Sequence, residues 1–110
     1  MAAHYAPDAR VELAVLENVA TRAAALTAAG SRVGVLALEQ PAHMPADAVM
    51  LDPPASVEQY AHVLYGRLRD ADRLRLDVLL VVPPPAIGLG AAVADRLQRA
   101  AAGSAVSATP

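Results

Sequence analysis

Asp77 to Val82 reads DVLLVV, apolar with almost no alternation, and this run constrains the fold more than any other stretch. A strand that is apolar on both sides needs a layer over each face, which in practice means a parallel sheet between helices. The rest of the chain supplies those layers. Val11 to Glu17 (VELAVLE) is β-compatible, and Asn18 to Ala29 follows with helix formers and Gly30 as its stop. Arg32 to Glu39 (RVGVLALE) gives a second strand, and Ala48 to Leu51 a shorter third, ended by Asp52-Pro53-Pro54 because proline cannot donate to a ladder. Ser56-Val57-Glu58-Gln59 has the form of a capping box. Behind it, Val57, Tyr60, Ala61, Leu64, Leu68 and Ala71 recur at helical spacing and define one buried face. After DVLLVV come three prolines, Ile87 and Gly88-Leu89-Gly90, then a last helix over Ala91 to Ala102.

The expected fold is therefore α/β: a three-layer, Rossmann-like domain with a mostly parallel four-stranded sheet. Right-handed crossovers favour the strand order 3-2-1-4, with the first strand central. A chain of 110 residues holds one such core. Residues 1–10 read as an approach segment, 11–102 as the domain and 103–110 as a flexible tail.

Several function classes are excluded on composition. Nine basic residues against eleven acidic ones give a net charge of −2, too weak a field to gather nucleic acid. All nine are Arg, and without Lys there is no P-loop. No Cys means no disulfide and no thiolate site. Nothing near Met1 has the form of a signal peptide, and no apolar run reaches the roughly 20 residues of a membrane helix, so the expected location is cytoplasmic.

The chemistry-bearing motifs are sparse. Gly88-Leu-Gly90 stands between a strand and a helix, but Val93 occupies the third glycine position of a dinucleotide fingerprint. The serines lie in no nucleophile-elbow frame. His4, His43 and His62 lack metal-ligand spacing. Asp70 and Asp72 sit among Arg67, Arg69, Arg73 and Arg75, the pattern of a charge-paired helix end. No catalytic constellation assembles, which leaves a binding or covering module. One form of it is a small-molecule sensor using the crevice at the strand carboxyl ends, walled by Glu39, Asp52 and the turn from Pro83 to Gly90. Another is a homodimeric interaction domain.

Three segments point to a family. His4-Tyr5-Ala6-Pro7, Leu64 to Asp72 (LYGRLRDAD) and Ile87 to Ala101 (IGLGAAVADRLQRAA) together resemble the end of the linker and the C-terminal domain of two-domain threonylcarbamoyl-AMP synthases. The resemblance runs from His4 to about Ala102. It implies a parent reaction in which L-threonine, bicarbonate and ATP give threonylcarbamoyl-adenylate and pyrophosphate, for the threonylcarbamoyladenosine modification of tRNA. ATP and Mg belong to that parent, and no cofactor is implied for this domain. It also implies a YrdC-like catalytic domain as partner, in cis or in trans, with the linker closing over its cleft; His4, Tyr5, Ala6 and Pro7 would be the last residues of that lid. The catalytic signature needs a Lys and Arg pair, and a chain with no Lys cannot carry it. No direct nucleic-acid or membrane contact is expected.

The family-like segments place Tyr65, Arg69, Gly88, Gly90 and Arg96 as candidates for an interdomain or ligand surface. Salt bridging of the two arginines to Asp72 or Asp95 is the alternative. Three departures from the family stand out: Met1-Ala2-Ala3 in place of a Ser-Pro-Gly-Met stretch, Val63 where Asn is usual, and Val82 where Glu is usual.

Overall fold

In a computed structural model the backbone is described for residues 8–108, and side chains for residues 8–103. The expected lid residues His4 to Pro7 lie outside the described residues. The elements run β1 (Arg10–Leu13), α1 (Leu16–Ala28), β2 (Val33–Leu36), β3 (Val49–Met50), α2 (Val57–Arg73), β4 (Val78–Val81) and α3 (Leu89–Ala108). All four strands pair in parallel. One helix covers one face of the sheet and two cover the other, the three-layer α/β arrangement expected.

The strand order is β1-β4-β2-β3. β2 and β3 are neighbours, as in the expected 3-2-1-4, but β1 and β4 exchange places to give 3-2-4-1. The physical reason lies in the side chains. Val78, Leu79, Leu80 and Val81 are all buried, so β4 takes the position with a neighbour on each side. In β1, Arg10 and Leu13 are exposed and Glu12 half-buried, so only Val11 is committed to the core and the strand sits at the edge.

Side-chain alternation sorts the core into two clusters. Val33, Val35, Val78 and Leu80 point toward Val19 and Ala23 of α1. Leu36, Leu79 and Val81 point the other way, onto Tyr60, Leu64 and Leu68 of α2 and Val93 and Leu97 of α3. Beyond the edge of the smaller cluster, Arg22 of α1 reaches Glu12 of β1 through Nε to Oε2 at 2.6 Å and Nη2 to Oε1 at 2.9 Å. That pair of hydrogen bonds holds the Glu12 carboxyl below the usual carboxylate range.

The helix ends follow local chemistry. Ser56 Oγ accepts from Gln59 N at 3.1 Å, and the Gln59 side chain accepts from the Ala55 amide, one residue before the position of the standard capping box. α1 ends in a Schellman turn: Gly30 has φ +95°, Ser31 N donates to Leu26 O and Gly30 N to Thr27 O. α2 ends in the same way with Arg75 in the left-handed position at φ +58°. There the Arg32 guanidinium donates to the carbonyls of Leu74 and Arg75, at 3.0 and 3.2 Å. α3 continues through Gly103 to Ala108, beyond Ala102 where the apolar pattern stops.

Gly66 sits half-buried inside α2, and a Cβ built on it meets nothing within 4 Å. Gly66→Ala is therefore expected to stabilise the domain by about 0.5–1 kcal/mol, because alanine has less chain entropy to lose in a helix. The check is a urea titration, in which the midpoint should rise at unchanged slope. A fall would show that α2 needs the glycine for a contact.

Candidate functional site

The sheet opens where its hydrogen bonding stops. After β4, Val82 N still donates to Leu36 O at 2.9 Å, but Pro83, Pro84 and Pro85 have no N–H to continue. After β1, Ala14 N donates to Val81 O at 2.8 Å and the chain turns directly into α1. The connections leaving β1, β2 and β4 therefore separate. Leu16, Leu38, Glu39, Val82 and the three prolines wall a cavity of about 290 Å³ between them. A second cavity, about 490 Å³, adjoins it through Leu16 and is lined by Glu17, Thr21, Gln40 and His43 among others.

This crevice is also where the direction of winding reverses. From β2 the chain moves outward to β3, whereas after β4 it enters α3, which packs over β1 on the other side. Such switch points are where open α/β sheets bind ligands, because the connections diverge to opposite faces. Tyr60 supports the floor. It is fully buried, and its hydroxyl donates to Val82 O at 3.0 Å. Burial raises the hydroxyl pKa well above the ordinary tyrosine value, which keeps it a donor.

The sequence-derived candidates do not converge on one point. Gly88 and Gly90 lie beside the crevice. Gly88 has φ +57°, and a Cβ on Gly90 would overlap the Pro85 carbonyl, so the turn requires glycine at both positions. Tyr65 is half-buried in the α2 side of the larger core cluster. Arg69 and Arg96 are exposed on the outer faces of α2 and α3. The carboxylates nearby are engaged elsewhere: Asp70 with Arg67 and Arg73, and Asp95 with Arg99 at 3.0 Å. Asp72 Oδ1 accepts from the Ala9 amide at 3.0 Å. Asp52 lines neither cavity, and its carbonyl accepts from Arg67 Nε at 3.0 Å.

Leu16, Leu38 and Val82 were not singled out in the sequence as walls of a site. The available signal is weak: each is an apolar residue just past the end of a strand. Four large apolar side chains in these same connections are exposed: Leu13, Val15, Ile87 and Leu89. At the opposite end of the sheet, Asp8, Asp72, Arg75, Leu76 and Asp77 line a cleft of about 560 Å³. Its carboxylates hold backbone, with Asp77 Oδ2 accepting from Arg32 N at 2.8 Å and Asp72 from Ala9. Among the described residues no group of three or more His, Cys, Asp or Glu is placed to hold a metal ion, and no helix is long and apolar enough to cross a membrane.

Comparison with known proteins gives consistent results. The family described as threonylcarbamoyl-AMP synthase, C-terminal domain, matches residues 1–102. Among solved structures, P. abyssi Sua5 complexed with L-threonine is 31% identical with a TM-score of 0.72, over 92% of this chain and 30% of that one. A P. abyssi Sua5 variant with an adjacent His and Tyr replaced by Ala is 28% identical with a TM-score of 0.76, over 89% of this chain and 29% of that one. The C-terminal Sua5 domain of a Pyrococcus horikoshii protein is 30% identical with a TM-score of 0.67, over 84% of this chain and 93% of that one. No curated protein sequence matches the chain. The chain thus spans about a third of the two P. abyssi proteins and nearly all of the isolated domain.

Proposed function

The chain belongs to the family of threonylcarbamoyl-AMP synthase C-terminal domains, and from that premise we propose that it acts as a non-catalytic accessory domain, anchoring a linker lid that closes over a YrdC-like catalytic domain. The observation that carries this reading is the fixed start of β1. Ala9 N donates to Asp72 Oδ1 and Arg10 N to Asp77 O, each at 3.0 Å, so the chain becomes rigid two residues after Pro7. A lid with one end fixed explores less volume, and closing it costs less entropy. That the residues replaced in the P. abyssi variant are an adjacent His and Tyr supports giving His4 and Tyr5 the working end of this lid.

The reaction of the parent enzyme, adenylation of a threonine-derived carbamate with ATP, belongs in this reading to the catalytic partner. The crevice of this domain is a poor match for a triphosphate, since its walls are leucine, valine and proline with Glu39 as the charged group. L-Threonine, found with P. abyssi Sua5, is likewise placed with the partner.

Arg69 and Arg96 fit a role on the partner-facing surface because both are exposed and neither makes an ion pair among the described residues. Calorimetric titration of the chain into a YrdC-like catalytic domain from the same genome tests this. Arg69→Glu and Arg96→Glu are each expected to weaken binding about tenfold, a change of about 1.4 kcal/mol, with the melting temperature unchanged. Unchanged binding with a lower melting temperature would assign both side chains to the fold.

A further inference from the structure

We propose that the crevice at the carboxyl ends of β1, β2 and β4 is a binding site for a small aliphatic amine, with its hydrocarbon against Leu16, Leu38 and Val82 and its ammonium on Glu39. This inference is independent of the accessory-domain reading. It begins from position: the cavity of about 290 Å³ lies between the residues that follow β2 and those that follow β4, where the winding reverses.

The lining then selects the ligand. Pro83, Pro84 and Pro85 give a rigid wall without N–H groups, so the backbone there offers no donors to an anion. No Arg lines this cavity or the one that adjoins it, and the chain has no Lys. In the cavity that Glu39 lines, phosphates and carboxylates would meet that carboxylate and no Arg, Lys or His. Glu39 is exposed, makes no hydrogen bond or ion pair among the described residues, and stands beside leucine, valine and proline side chains. A carboxylate in such surroundings is matched by a cation that brings its own apolar body. Leu13, Val15, Ile87 and Leu89, close in the chain to these lining residues, are also exposed, Ile87 most of all at 81%. Val82 contributes an apolar wall directly.

Titration calorimetry with butylamine, hexylamine and octylamine, against hexanoate as the matched anion, tests the proposal. Affinity is expected to rise about fourfold for each added methylene. Hexanoate should bind at least tenfold more weakly than hexylamine. Glu39→Gln should weaken hexylamine binding about tenfold, whereas Glu58→Gln, an exposed charge change on α2, should leave it alone. Nα-acetyl-lysine methylamide separates a free amine from a lysine presented by another protein. Binding weaker than that of butylamine keeps the ligand a free small molecule, and tighter binding overturns that part of the proposal. Equal affinity for hexylamine and hexanoate, an unaltered Glu39→Gln titration, or no heat with any of the amines overturns the site itself.

Discussion

Leu79→Ala is expected to cost about 2–5 kcal/mol, a large share of the roughly 5–15 kcal/mol that holds a domain of this size together. Leu79 is fully buried in the central strand β4 and belongs to the core cluster that α2 and α3 cover. Across the strand its register partner is Gly34, and a Cβ built on that glycine would overlap Leu76 Cδ1 and come within 3.3 Å of Leu79 Cδ1. Leu79 and Leu76 therefore share the space that a missing side chain on β2 leaves. Removing Leu79 opens a cavity that cannot collapse, because strands on both sides and helices above fix its walls. Denaturant titration gives the value directly, and a loss below about 1 kcal/mol would contradict the packing of β4 against the helical layer.

Gly90→Ala is the second large effect, expected at about 1–3 kcal/mol or more. Its Cβ would overlap the Pro85 carbonyl, a backbone atom between Pro84 and Ala86 that cannot rotate away as a flexible side chain could. Gly90 N also donates to Ile87 O at 3.0 Å, and Ile87 N to Pro85 O at 2.8 Å, so the substitution strains the turn that starts α3. The structural consequence reaches the crevice, because Pro85 is part of its wall. A lower melting temperature together with altered amide shifts at Ile87 and Leu89 is the expected result. A variant as stable as the parent would show that the turn adapts.

How far the fold was legible depends on what kind of signal each element carried. The capping box at Ser56 and the face Tyr60, Leu64, Leu68 and Ala71 are local facts, and the structure has them as expected. The two-sided burial of β4 was equally plain in DVLLVV. A strand buried on both faces belongs inside the sheet, and one with Arg10 and Glu12 belongs at the edge. Those two patterns put β4 inside and β1 outside, in agreement with β1-β4-β2-β3. The end of α1 was marked by Gly30, but its start at Leu16 was not, since Val15 caps it without a side-chain hydrogen bond. α3 outruns its apolar pattern through Gly103, Ser104 and Ser107, weak helix formers that give no local signal of the extension.

The crevice was legible in outline only. The turn from Pro83 to Gly90 and Glu39 are recognisable as parts of it, while Asp52, which also follows a strand, lies outside both cavities. β3 is an edge strand of two residues, Val49–Met50, so its carboxyl end lies away from the reversal point between β2 and β4. Contacts such as Tyr60 Oη to Val82 O join residues 22 apart in the chain, and no local pattern announces them.

The most direct test of the accessory reading is pyrophosphate release from threonine, bicarbonate and ATP, measured for this chain alone, for a YrdC-like catalytic domain from the same genome alone, and for the two mixed over a concentration series. The account predicts a blank rate for the chain alone and a saturable rise over the catalytic domain when the chain is added, reduced by changing His4 and Tyr5 to alanine. Pyrophosphate made by this chain without a partner, or a catalytic domain indifferent to it at every concentration, would contradict the account.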